Sequence, residues 1–137
     1  MGFDHATRRT YLDMMARISA RWLRLFENDP DLYSTAYWDL LTTLWAAGGP
    51  MRKTEALAAM SAVKSPHTAG KYLDCAVARG YVQETGNPAD ARSKLVQLSP
   101  WLKQRLDAFF DDAVNDMVAT ADLVRDRRDD SEGEDAA

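Results

Sequence analysis

Between Ser65 and Leu98 the chain reads SPHTAGKYLDCAVARG, YVQE, TGNPADAR and SKLVQL in succession, the order of a capped helix, a glycine stop and two short strands around a polar turn. Ser65 can accept from a backbone N–H two or three residues on, and Pro66 suits the first helical position, where no N–H is needed. Ala69, Leu73, Ala76 and Val77 recur at three- and four-residue spacing as an inward stripe, which leaves His67, Thr68, Lys71 and Asp74 outward. Gly80 stands where a left-handed residue ends a helix. Residues 81–84 and 93–98 have strand composition, the second alternating polar with apolar, and Gly86-Asn87-Pro88 is turn chemistry.

The flanking chain is helical by pattern. Over residues 4–27 the apolar Tyr11, Met14, Met15, Ile18, Trp22, Leu25 and Phe26 follow a helical period, with Arg8, Arg17, Arg21 and Arg24 largely off that stripe. Asn28-Asp29-Pro30-Asp31 breaks this helix, and Ser34 or Thr35 can cap a second one through Ala47, whose Trp38, Leu40, Leu41, Leu44 and Trp45 make more than one face apolar and predict a central, buried element. Gly48-Gly49-Pro50 stops it, Met51-Arg52 can form a short strand, and Thr54 can cap a short helix to Met60. With Ala62-Val63-Lys64 as the turn, this helix and the one starting at Ser65 are a helix-turn-helix, and the hairpin after it is a wing. Ser99-Pro100 opens a last helix to about Arg125. Its stripe of Leu102, Leu106, Phe109, Ala113, Met117 and Val124 is widened by Phe110, Val114, Val118 and Ala121 beyond a single helix's needs.

The expected fold is therefore mainly α with a small β-hairpin wing, a winged helix-turn-helix with long N- and C-terminal helices for dimerisation. One domain covers residues 1–126, with 34–98 as the DNA-binding lobe and 4–27 and 100–125 as the dimerisation helices. Residues 127–137, acidic and without apolar side chains other than alanine, are expected to be a disordered tail.

Charge and composition narrow the function. The net charge of −4 is unevenly distributed: residues 51–105 hold nine Lys or Arg against four acids, whereas 106–137 hold three against eleven. Phosphate attraction follows the local potential, screened over about 8 Å at physiological salt, so the basic middle outweighs the acidic total. With 46% hydrophobic residues but no uninterrupted apolar run of membrane-spanning length, and no signal-peptide pattern, a cytoplasmic protein without membrane contact is expected. One cysteine, Cys75, and two histidines, His5 and His67, cannot form an internal disulfide or a Cys/His metal site. No nucleophile–base pair or phosphate-cradling glycine loop is present, so neither an enzyme nor a cofactor is expected.

The helix start Ser65, Pro66, Thr68 and Ala69, the exit Asp74, Gly80, Tyr81 and Val82, the Asp90-Ala91-Arg92 segment and the closing Leu98-Ser99-Pro100 resemble, in this order, the multiple-antibiotic-resistance regulator (MarR) family of bacterial transcription factors. The resemblance covers roughly residues 34–110. It implies a sequence-specific transcriptional regulator that binds double-stranded DNA as a homodimer, a repressor relieved by a small, aromatic ligand. Lys53, Lys64, Ser65, His67, Thr68, Lys71, Arg92 and Lys94 are the expected DNA contacts. Lys71, Thr68 and His67 lie on the face that enters the major groove. Arg92 is implied to enter the minor groove, with Asp90 orienting the wing. A solvated helix face and an exposed ion pair are the plain alternatives for these two groups.

The family more often has Ser or Thr at position 70 and a basic residue at 75, where this chain has Gly70 and Cys75. It also usually ends in two helices, where this chain has room for one long one. Arg17, Arg21, Trp22 and Phe26 are candidate ligand-binding residues, the arginines (or His5) for a carboxylate and the rings for an aromatic group. A hydrophobic core with solvated arginines accounts for them equally. Cys75 is read as a structural thiol rather than a redox switch, because little nearby would depress its pKa. The competing function is a winged-helix protein–protein module that does not bind DNA directly, with the acidic C-terminal segment as part of its docking surface or as a DNA mimic.

Overall fold

The computed structural model describes residues 2–136, with side chains through Asp130. Its elements are α1 (His5–Leu25), a 3-10 turn (Pro30–Leu32), α2 (Thr35–Ala47), β1 (Met51–Arg52), α3 (Lys53–Ala59), α4 (Pro66–Ala78), β2 (Val82–Asn87), β3 (Asp90–Leu98) and α5 (Pro100–Ala136). They fall into two compact units, Asn28–Asp107 and the pairing of Met1–Glu27 with Ala108–Ala137. No helix among the described residues is long and apolar enough to cross a membrane.

In the Asn28–Asp107 unit, local chemistry places the helix ends. Ser34 Oγ accepts from Tyr37 N at 3.2 Å to start α2, and Gly48, at φ 72°, ends it. Ser65 Oγ accepts from Thr68 N at 3.4 Å to start α4. Gly80, at φ 79°, closes α4 with two bonds, Gly80 N–H to Val77 O and Tyr81 N–H to Ala76 O, the pairing that satisfies the last free carbonyls of a helix. Ser99 caps α5 through Leu102 N at 3.2 Å. The core gathers Leu32, Leu40, Leu41, Leu44, Met60, Leu73, Val96 and Leu102, all at most 2% exposed.

The sheet is antiparallel in the order β1-β3-β2. Met51 pairs with Val96, which pairs on its other side with Glu84. Three expectations are corrected in this unit. Thr54 does not cap α3: β1 runs directly into the helix, so the extended Arg52 is the boundary and supplies no side-chain cap. Trp38 is 41% exposed, because the buried face of α2 is built by Ala36, Tyr37, Leu40, Leu41 and Leu44 instead. The wing strands are longer than 81–84 and 93–98. Gly86 and Asn87, read as turn, pair within the sheet at an irregularity in register, and only Pro88 and Ala89 make the turn.

In the other unit α1 and the distal part of α5 run antiparallel. Asp4 caps α1 by accepting from Thr7 N at 2.8 Å. Trp22 packs edge-on against Phe26 (5.0 Å between ring centroids) and Phe109 (5.5 Å). Arg127 Nη1 donates to Thr10 Oγ1 at 2.7 Å and to Ala6 O at 3.2 Å. This corrects the end of the last helix: α5 continues past Arg125 through residues 127–130, expected in a disordered tail, and Arg127 bonds to α1 from there. The remainder of that expected tail, 131–137, lies outside the residues whose side chains are described.

Candidate nucleic-acid interface

The face of α4 opposite its buried Ala69, Leu73 and Ala76 presents His67, Thr68 and Lys71 to solvent, as the spacing predicts. Lys64 and Ser65 are exposed just before it. The Ser65 hydroxyl already accepts the Thr68 N–H, so its first role is to hold the N-terminal turn in which Thr68 sits.

The wing is organised by short polar side chains. Asp90 Oδ1 accepts from Arg92 N at 3.0 Å, so the aspartate acts on the backbone of the arginine and leaves the guanidinium exposed. Asn87 Oδ1 accepts from Ala89 N at 3.0 Å, and Asn87 Nδ2 donates to Ser93 Oγ at 2.8 Å, clamping both sides of the Pro88-Ala89 turn. The sequence places Asn87 in a turn and Ser93 in a strand but gives neither this clamping role. Asn87→Ala is expected to raise amide hydrogen exchange across residues 86–93. The overall melting temperature should fall by no more than about 8 °C, since the variant removes two such bonds, each worth about 1 kcal/mol. Unchanged exchange in the wing would remove Asn87 as its clamp.

Not all of the basic middle is available to a partner. Lys64, Lys71, Arg92 and Lys94 are exposed and carry no ion pair among the described residues. Lys53, however, is only half-exposed, with Nζ 3.1 Å from Glu84 Oε1 on β2. Arg79, at the end of α4, lies 2.5 Å from Asp29 and 3.7 Å from Asp31. Its hydrogen bond to Asp29 raises the guanidinium pKa further, while the Asp31 N–H, and then Arg79, hold the Asp29 carboxyl below the usual carboxylate range. These pairs span 31 and 50 residues, and no local pattern announces them.

Gly70 and Cys75 are both half-buried. Burial, and then the neighbouring Cys75 thiol of α4, push the hydroxyl of Tyr37 on α2 above its ordinary pKa. Cys75 therefore belongs to the packing between α4 and α2, not to the outward face.

Of the expected ligand-binding residues, Trp22 and Phe26 are each 2% exposed within the ring cluster. Both arginines are engaged by α5: Arg21 pairs with Asp116 and donates to Asp112 O, and Arg17 Nε lies 3.6 Å from Asp116. A carboxylate ligand would have to displace Asp116. This unit also has an apolar groove of about 630 Å³, lined by Phe3, Tyr11, Met14, Met117, Thr120 and Val124 among others.

No protein-family model matches the chain, and no curated protein matches its sequence. Solved structures do resemble it. RV1404 from Mycobacterium tuberculosis is 13% identical, with 96% of this chain and 94% of that one covered and a TM-score of 0.63. A mutant of S. aureus MepR bound to an oligodeoxyribonucleotide is 12% identical, with 98% and 99% covered and a TM-score of 0.63. Sco3205, a MarR family transcriptional regulator from Streptomyces coelicolor in complex with DNA, is 18% identical, with 92% and 81% covered and a TM-score of 0.52. By its element order, its three-stranded wing and these likenesses, the chain has the winged helix-turn-helix fold of the MarR-type transcriptional regulators.

Proposed function

We propose that the chain is a cytoplasmic, sequence-specific DNA-binding regulator of transcription that works as a homodimer, a repressor whose hold on a pseudo-palindromic operator is relieved by a small aromatic effector. The observation that carries the reading is the exposed set of Lys71 on α4 and Arg92 and Lys94 on the wing, without an ion pair among the described residues, beside the exposed His67 and Thr68. A helix face with donors and acceptors suits base edges in the major groove, and a weakly hydrated guanidinium on a hairpin suits the narrow minor groove. Dimerisation is supported by the unit of α1 and distal α5, where Tyr11, Leu12, Met117, Val118 and Leu123 are each more than half exposed. Two recognition helices in a symmetric dimer must meet successive major grooves about 34–36 Å apart, so an effector that favours another spacing lowers affinity. An aromatic acid that acted through Arg17 or Arg21 would have to break their pairing with Asp116.

Selection from random duplexes, followed by anisotropy titration at several salt concentrations, tests this reading. The selected site should be an inverted repeat. If Lys64, Lys71, Arg92 and Lys94 of each subunit each meet a phosphate, the log–log salt slope of a dimer should be about −7. Absence of binding to any duplex at low salt would count against DNA as the partner and in favour of a protein-docking winged helix.

A further inference from the structure

We infer that Glu84 restrains sequence-independent DNA affinity by neutralising Lys53, so that Lys53 is not among the phosphate contacts of the resting protein; this rests on the DNA-binding reading above. Lys53 is the first residue of α3, the leading helix of the helix-turn-helix, and in this motif that helix crosses the phosphate backbone. Arg52 occupies the cap without a side-chain bond and Lys53 follows, with Glu55 the acid of the same first turn. A lysine here is placed to meet phosphate.

The sheet supplies the opposing charge. Glu84 on β2 pairs with Val96 on β3, and Val96 pairs with Met51 on β1, so Glu84 stands in the same cross-sheet row as the residue two before Lys53. The resulting ion pair measures 3.1 Å, with the lysine side chain 31% and the glutamate 25% exposed. Partial burial on both sides shields the pair from salt more than a fully exposed one. Lys64, Lys71, Arg92 and Lys94 have no such acid within reach among the described residues. A flexible ammonium on a phosphate carries no sequence information, so releasing Lys53 would strengthen binding to every duplex.

Anisotropy titration against a short duplex of random sequence, over a range of salt, compares wild type, Glu84→Gln, Lys53→Gln and the double variant. For Glu84→Gln the salt slope should steepen by about 0.9 per subunit, and affinity at about 50 mM salt should rise on the order of tenfold. Lys53→Gln should keep the wild-type slope, and the double variant should return to it. The inference is overturned if Lys53→Gln flattens the slope by about one per subunit, because Lys53 would then already contact phosphate. It is equally overturned if folded Glu84→Gln binds no more steeply than wild type. Should Glu84→Gln fail to show a cooperative melt, the Lys53→Gln slope decides. Wild-type binding with an unmoved Glu84→Gln slope sinks the restraint alone, whereas no binding by any of the four proteins sinks the DNA reading with it.

Discussion

Met117→Asp with Val118→Asp is expected to give a folded monomer that has lost at least about 100-fold in affinity for an inverted-repeat operator, the avidity that joining two half-site readers contributes. Both side chains are more than half exposed on α5, at 54% and 52%, so a carboxylate there is solvated in the isolated chain and the fold survives. In a symmetric dimer each substitution occurs twice. Full burial of one such side chain is worth about 1.5–3 kcal/mol and only about half of each is left to bury, so the double variant removes about 3–6 kcal/mol from the interface before the cost of burying carboxylates is counted. Sedimentation at micromolar concentration should show the shift from dimer to monomer, and far-ultraviolet circular dichroism should be unchanged.

Phe109→Asp is the contrasting case. On the sequence alone Phe109 and Met117 belong to one oversized stripe. In the structure Phe109 is 5% exposed and packed against Trp22 and Phe110, so a charge there should unfold the α1–α5 pairing rather than dissociate a dimer. A wild type that sediments as a monomer at micromolar concentration would remove the symmetric-operator mechanism.

Lys71→Ala and Arg92→Ala should separate the two parts of recognition. Lys71 is exposed on the outward face of α4, one turn after His67 and Thr68, so a base-edge contact from it would be worth about 1–3 kcal/mol per half-site. Across two half-sites this is about 2–6 kcal/mol on the selected operator, with a smaller loss on random DNA. Arg92 lies on the wing with its backbone held by Asp90, and its guanidinium should act mainly by charge. Its removal should therefore weaken operator and random DNA alike and flatten the log–log salt slope by about one per subunit. Equal operator affinity for wild type and the double variant would eliminate the winged-helix DNA-reading model.

The elements legible in the sequence are those whose physics lies within a few residues. Ser34, Ser65 and Ser99 cap helices because each hydroxyl meets an N–H three residues on, and Gly48 and Gly80 end helices because the left-handed turn there suits a residue without Cβ. The alternation in 93–98 marked a strand, and the 3-4 spacing of Ala69, Leu73 and Ala76 marked the buried face of α4. Within the wing the same reasoning fell short by a few residues. Glycine and asparagine favour turns in isolation, but Gly86 and Asn87 are drawn into the ladder by pairing with Lys94 and Asp90.

Which cations remain available was decided by the tertiary structure. Lys53, Lys64, Lys71, Arg79 and Lys94 are alike as charges along a chain. The fold brings Glu84 to Lys53 across 31 residues and Asp29 to Arg79 across 50, and leaves Lys64, Lys71 and Lys94 in solvent. Asp116 likewise engages Arg21 from 95 residues away, which removes the cation that a ligand carboxylate would have met. Local order is determined by hydrogen bonds and turns that the backbone makes with its near neighbours. Charge pairing acts between whichever side chains the folded chain places within a few ångströms, and that proximity exists only once the helices and the sheet have packed.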